Sequence, residues 1–155
     1  MKSFPLFINI ENKQVVIIGG GKIATRRIET LLKFKCKIKV ITLLATERIH
    51  ELEKLGMLKL EEKSYEKADC GGAYFILAAT DDRQVNHNVC QDAKSKGIMV
   101  NVCDNKDECD FYFPGIIVDD DAVIGVTCSG NDHKLAKKIK EGIEKYRGEL
   151  WNLKG

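Results

Sequence analysis

The run Val15-Val16-Ile17-Ile18, closed by Gly19-Gly20-Gly21, limits what this chain can fold into more than any other stretch. Consecutive β-branched residues favour extended backbone, and the absence of polar alternation predicts a parallel strand buried on both faces. The glycines that follow allow a turn too tight for side chains. Beyond them Ala24, Ile28, Leu31 and Leu32 recur at helical spacing, so a helix is expected from Lys22 to about Phe34. Strand, glycine turn and amphipathic helix in this order open a βαβ unit.

The rest of the chain repeats the alternation. Ile38 to Leu44 reads as a second strand, and Ile49, Leu52 and Leu55 mark a helix that Gly56 can stop in a left-handed conformation. Met57 to Leu60 is expected to be a short third strand. After the Asp69-Cys70-Gly71-Gly72 turn, Tyr74 to Ala79 is a second fully apolar strand, followed by a helix capped by Thr80 or Asp81. That helix carries Val85, Val89 and Ala93 and ends at Gly97, and Ile98 to Val102 returns as another parallel strand. Phe4 to Ile10 alternates weakly and suggests an edge strand preceding the sheet.

The fold class expected is therefore α/β, a Rossmann-like doubly wound parallel sheet followed by a small antiparallel hairpin and a C-terminal helix. The hairpin is read from Ile116-Ile117-Val118 and Val123-Ile124-Gly125-Val126, joined by Asp119-Asp120-Asp121. The helix is read from Leu135, Ile139, Ile143, Tyr146 and Leu150, a stripe that either packs on its own sheet or pairs with a second subunit. On this basis residues 1–113 form an NAD-binding Rossmann domain and 114–155 a hairpin-plus-helix extension.

Composition narrows the function classes. With 25 Lys and Arg against 23 Asp and Glu, a net charge of +2 excludes a generic polyanion binder, so no nucleic-acid partner is expected. Apolar runs are far shorter than a bilayer requires and the N-terminus lacks a secretory cleavage site, so no membrane association and a cytoplasmic location are expected. The six cysteines form no CxxC pair, Cys103 and Cys109 being the nearest, which suggests free thiols in a reducing compartment. His133 stands without His or Cys partners at ligand spacing, so no metal site is expected.

Gly19-Gly20-Gly21-Lys22-Ile23-Ala24 fits the G-x-G-x-x-A dinucleotide fingerprint in the right context, after a strand and opening a helix. Gly19 allows the tight turn, Gly21 lets backbone N–H groups approach a pyrophosphate, and Ala24 lets helix and strand pack closely. Lys22 and Ile23 lie in the helix N-terminus, whose partial positive charge favours phosphate. The acid that usually reads the adenosine ribose about 20 residues further on is missing, for Ile41-Thr42-Leu43 stand there. Thr42 is the candidate ribose contact, and with no arginine beside it the residues lean to NAD over NADP.

A second constellation lies at the ends of two later strands. Ala78-Ala79-Thr80-Asp81-Asp82 closes a central strand next to the expected switch point, with Asn86 one turn into the following helix. Asn101 and Asp104 follow the next strand and can project into the same crevice. On spacing alone Asp104 is either a loop-capping residue or a catalytic acid/base.

Taken together, Gly19 to Arg27, Ala78 to Asp82 with Asn86, Asn101-Val102-Cys103-Asp104, and Cys109-Asp110-Phe111-Tyr112-Phe113-Pro114 resemble the motifs of the siroheme-synthase family, in its precorrin-2 dehydrogenase domain. The resemblance runs from about Phe4 to Lys140. It implies NAD-dependent oxidation of precorrin-2 to sirohydrochlorin in siroheme biosynthesis, in some members followed by ferrochelatase activity. Asp104 matches the family's catalytic aspartate. Candidate cofactor contacts are Gly19, Gly21, Lys22, Ile23, Ala24, Thr42, Thr80 and Asn101. Candidate contacts to the carboxylate-rich tetrapyrrole substrate are Asn86, Lys134, Lys137 and Lys138, with Lys140 beside them.

Two departures bear on these expectations. The family's Ser-Pro element before its basic helix is replaced by Asp132-His133, where Asp132 can still cap the helix. The chain ends at Gly155, whereas many members continue into a helical domain. A dehydrogenase that passes product to a separate chelatase, and a homodimer through hairpin and helix, are therefore expected. The rival is a non-catalytic dinucleotide-sensing domain, which would not need Asp104.

Overall fold

A computed structural model describes residues 3–119, 122–146 and 148. They fall into two compact units, Phe7–Phe111 and a second made of residues 3–6 with the chain from Tyr112 onward. The larger unit is a five-stranded parallel sheet of β1 (Gln14–Ile18), β2 (Lys37–Thr42), β3 (Lys59–Glu62), β4 (Phe75–Ala78) and β5 (Met99–Val102), ordered β3-β2-β1-β4-β5. Its helices are α1 (Lys22–Leu31), α2 (Glu47–Lys54) and α3 (Arg83–Ser95).

Chain direction across the sheet reverses between β1 and β4. Because parallel crossovers are right-handed, connections running outward from β1 in opposite directions put α1 and α2 on one face and α3 on the other. With both faces covered, the middle strands are apolar throughout, and Val15, Ile17, Ile76 and Leu77 are fully buried. On the α3 face Val16, Ile18, Ile76, Ala78, Val100 and Val102 pack with Val89, Cys90 and Ala93 of the helix.

The register levels the strand ends. Ile18 pairs with Ile41 on one side and Ala78 on the other, and Ala78 pairs with Val102. Backbone bonds carry the ladder one residue further, from Gly19 N to Ile41 O at 2.8 Å, Ala79 N to Ile18 O at 2.7 Å and Cys103 N to Ala78 O at 2.9 Å. The residues after β2, β1, β4 and β5 thus share one rim of the sheet, where open α/β sheets bind ligands.

Several boundaries differ from the sequence expectation. Phe4 to Ile10 forms no strand. Pro5 cannot donate to a ladder, Phe4, Leu6 and Phe7 stay exposed, and Asn9 turns its side chain back to accept from Glu11 N–H. β2 stops at Thr42 rather than Leu44. The third strand lies at Lys59–Glu62 rather than from Met57, because the Gly56 turn, at φ +70°, delays the chain's return to the sheet. The helix expected to reach Phe34 tightens into a 3₁₀ turn at Leu32–Phe34. Gly56 and Gly97 both adopt positive φ, as their positions after helices require.

The second unit holds the antiparallel hairpin β6 (Gly115–Val118) and β7 (Val123–Val126) and the helix α4 (His133–Lys145). Asp132 caps α4, accepting from Leu135 N–H at 2.8 Å. Leu150, placed in the apolar stripe from sequence, lies outside the described residues, as do Asp120 and Asp121 of the hairpin loop. Among the described residues no helix is long and apolar enough to cross a membrane.

One ion-pair cluster ties the β2–β3 side of the sheet to the chain before β4. The buried Asp69 carboxylate takes Lys63 at 2.8 Å, Lys39 of β2 at 3.7 Å and the Glu66 N–H at 2.9 Å. Burial disfavours this carboxylate, yet those partners outweigh it and hold the carboxyl below the usual aspartate range. A lowered folded pKa contributes stability that is fully present above the unfolded value, about 3.9, and is lost as pH falls through the folded one. Asp69→Asn should therefore lower urea-unfolding stability by about 2 kcal/mol at pH 7. The gap to wild type should narrow as pH drops below about 4.

Candidate dinucleotide site

The glycine turn sits at the switch point between β1 and β4, and each glycine meets a different demand. Gly19 has φ +116°, and a Cβ there would lie 2.4 Å from the Ala79 carbonyl oxygen, so only glycine lets the two strand ends close together. At Gly20 a Cβ would meet Leu44 O at 2.6 Å and Ala45 Cα at 2.9 Å. Gly21 is unlike both. It is the N-cap of α1 with φ −80°, and a Cβ there would meet nothing within 4 Å.

No side chain caps α1 and no acid lies in its first turn. The first intrahelical bond runs from Thr25 N to Gly21 O at 3.0 Å, so the N–H groups of Lys22, Ile23 and Ala24 precede any intrahelical partner. Free donors, the positive end of the helix dipole and open space above Gly21 together fit a phosphate group. Ala24 is fully buried under the helix, while Lys22 and Ile23 are exposed at the rim. The residues present thus fit a dinucleotide's pyrophosphate, and α3, by contrast, has its N-terminus closed by Asp82, which accepts from Gln84 and Val85 N–H.

That cap corrects the expectation of Thr80 or Asp81. Thr80 lies outside the helix, its hydroxyl on the Asn86 Oδ1 at 2.8 Å and accepting from Asp82 N–H at 3.2 Å. Asn86, expected among the substrate contacts, is fully buried instead. Its amide grips the backbone of Thr80, accepting from Thr80 N–H at 3.1 Å and donating to Thr80 O at 3.0 Å. The loop after β4 is thereby held in one conformation against Gly19.

Asn101 is likewise drawn inward rather than into the crevice. It is 3% exposed, accepts from the Arg27 guanidinium at 2.5 Å and donates to Phe111 O at 2.7 Å. Arg27 of α1 is half-buried, and burial lowers its pKa against the opposing effect of Cys103. Burial in turn pushes the Cys103 thiol up, with Arg27 acting the other way. Thr42, expected at the ribose, turns its hydroxyl onto Leu44 O at 2.9 Å.

Asp104 stands two residues beyond β5 with its side chain 34% exposed, reachable from the rim. Arg83, the first residue of α3, lies 3.6 Å from its carboxylate and also binds Glu108. His87 holds the same Glu108 oxygen at 2.8 Å. Burial works against the Glu108 carboxylate, but His87 and Arg83 outweigh it and hold its carboxyl below the usual range. Sequence reading missed Arg83, His87, Glu108 and the role of Arg27. They come from different elements and share no spacing that would have marked them.

In the second unit Lys137 pairs with Glu141 at 3.6 Å and Lys140 with Glu144 at 3.3 Å, while Lys134 and Lys138 are exposed. The side chain of His133 lies outside the described residues. Among the described residues no group of three or more His, Cys, Asp or Glu assembles as metal ligands.

A glycine turn opening an uncapped helix at the switch point of a parallel sheet defines a dinucleotide-binding α/β domain. Residues 6–115 match the family described as "Putative NAD(P)-binding". The chain belongs to that family, in its siroheme synthase and precorrin-2 dehydrogenase group. It is 41% identical over 143 residues to the "Probable multifunctional siroheme biosynthesis protein HemA" of Ruminiclostridium josui, covering 92% of this chain and 28% of that protein. It is 38% identical over 144 residues to the siroheme synthase of Methylococcus capsulatus, covering 93% and 30% respectively. The chain thus spans less than a third of these curated relatives. Among solved structures it is similar to SirC, precorrin-2 dehydrogenase, with TM-score 0.77 and 26% identity over 92% of this chain and 70% of that one.

The contrast between the glycines is testable. Gly21→Ala should fold with wild-type thermal stability and lose about tenfold in NAD affinity by calorimetry, since its methyl fills the phosphate space. Gly19→Ala should lower stability itself, by about 2 kcal/mol or more, because the methyl meets backbone and the φ is unfavourable.

Proposed function

We propose that this chain oxidises precorrin-2 to sirohydrochlorin with NAD as hydride acceptor. The observation that carries the reading is the pairing, along one rim of the sheet, of an open pyrophosphate seat at Gly21 with a reachable carboxylate at Asp104. The names of the siroheme synthases and of SirC support the substrate. NAD, when bound, supplies the ring that takes the hydride.

The chain's own residues do the rest. The N–H groups of Lys22, Ile23 and Ala24 hold the pyrophosphate, and the Gly19–Ala79 contact fixes the loop that presents them. Asn86 locks Thr80, and Arg27 with Asn101 locks the end of β5, so that the loop bearing Asp104 starts from a rigid strand. Asp104 accepts the proton released as substrate loses its hydride, with Arg83 beside it to steady the carboxylate.

Leu135 and Ile139 on α4 and Tyr146 at its C-cap remain exposed, which supports self-association through that helix. All six cysteines are free, in keeping with a reducing cytoplasm.

Anaerobic incubation with precorrin-2 and NAD, followed by NADH and sirohydrochlorin absorbance, tests the reading. Wild type should turn over, and Asp104→Ala should lose about 100-fold or more in kcat with NAD affinity kept within about twofold. Two proteins that bind NAD equally and never reduce it would overturn the enzyme and leave a dinucleotide sensor.

A further inference from the structure

Residues 43–46, which follow β2, are pinned to the glycine loop from several sides. Thr46 N donates to Gly20 O at 3.0 Å, and the hydroxyls of Thr46 and Thr25 lie 2.8 Å apart. Leu44 O and Ala45 Cα pack where a Gly20 Cβ would be, and the Thr42 hydroxyl binds Leu44 O. Within this pinned segment Leu43 and Leu44 point away from the packed loop and are 76% and 80% exposed. Ile23, in the first turn of α1, is exposed as well. Single exposed leucines are ordinary, but two in succession beside a ligand loop form an apolar lip with no protein cover.

The lip stands on the β2 side of the switch point, where the adenosine half of a dinucleotide lies when its pyrophosphate is on α1. Discrimination between NAD and NADP is a matter of charge at that place: a carboxylate binds the ribose hydroxyls and repels a 2′-phosphate, and a cation attracts it. Neither is found in the pinned segment. The first acid beyond it is Glu47, opening α2, and the first cation is Arg48, whose guanidinium is engaged by Glu29 at 3.1 Å and Glu51 at 2.9 Å.

We propose that Leu43 and Leu44 seat the adenosine end of the cofactor by apolar contact, and that this chain therefore distinguishes NAD from NADP only weakly. The inference rests on the dinucleotide reading of the glycine loop and adds the specificity of its adenosine end. The adenine presents an apolar face to the leucines, which lose exposed surface on binding, while the 2′ position meets solvent rather than a fixed charge.

Calorimetric titration of the full chain with NAD and with NADP, free of any turnover requirement, tests it. Wild type should bind the two within about fivefold of each other. Replacing both residues, Leu43→Ser with Leu44→Ser, should weaken both cofactors alike by about tenfold, at unchanged thermal stability because the side chains are exposed. Leu43→Asp should weaken NADP about tenfold more than NAD by placing a negative charge near the 2′-phosphate. A wild-type preference of about 100-fold for either cofactor, or Ser variants that bind as wild type does, would overturn the inference while the dinucleotide reading stands. A strong NAD preference abolished by Glu47→Gln would do the same and move the reader to α2. If neither cofactor binds wild type, both readings fall.

Discussion

The close approach of Gly19 to the Ala79–Thr80 backbone is the contact on which the rest of the site depends. It lets β1 and β4, strands whose chains then depart in opposite directions, end side by side. The gap that opens between their connections becomes the ligand crevice. Any side chain at Gly19 would force the strand ends apart or move the loop. The loop after β4 is in turn held by the Asn86 amide on both backbone groups of Thr80. A backbone contact too tight for a methyl group is thus supported by a buried side chain from α3, and the glycine loop inherits its geometry from both.

The polar residues around the crevice divide by burial. Asn86, Asn101 and the half-buried Arg27 point inward and satisfy one another or the backbone, as buried polar groups must. Asp104 remains accessible beside Arg83, whose other partner, Glu108, is itself held by His87. The inward groups stiffen the strand ends, and in the proposed function the outward carboxylate of Asp104 is the group that meets the substrate. Chemistry of this kind needs both, because an accessible carboxylate on a mobile loop would lack a defined position.

The order of elements was legible in the chain because apolar runs and glycines mark it directly. Val15 to Ile18 and Phe75 to Ala78 can only be buried strands, and Gly56 and Gly97 end their helices at positive φ as read. Boundaries were less legible. The segment from Phe4 to Ile10 alternates like a strand, but alternation does not supply a neighbour to pair with, and Pro5 lacks a donor. At the cap of α3, Thr80, Asp81 and Asp82 are all chemically suitable, and the backbone path selected Asp82.

The sequence by itself determined the parallel α/β sheet, the glycine loop at its centre and the succession of residues along its rim. These follow from local periodicity and from the one residue type that tolerates positive φ and close backbone contact. Only the tertiary structure decided what each polar residue on the rim does. Asn86 and Asn101 have the composition of ligand contacts, yet packing buries them, whereas Leu43 and Leu44 have the composition of core residues, yet the anchoring of their backbone leaves them outside. The direction of a side chain depends on contacts between elements far apart in the chain. Arg27 meeting Asn101 across 74 residues is one such contact, and no spacing along the chain encodes it.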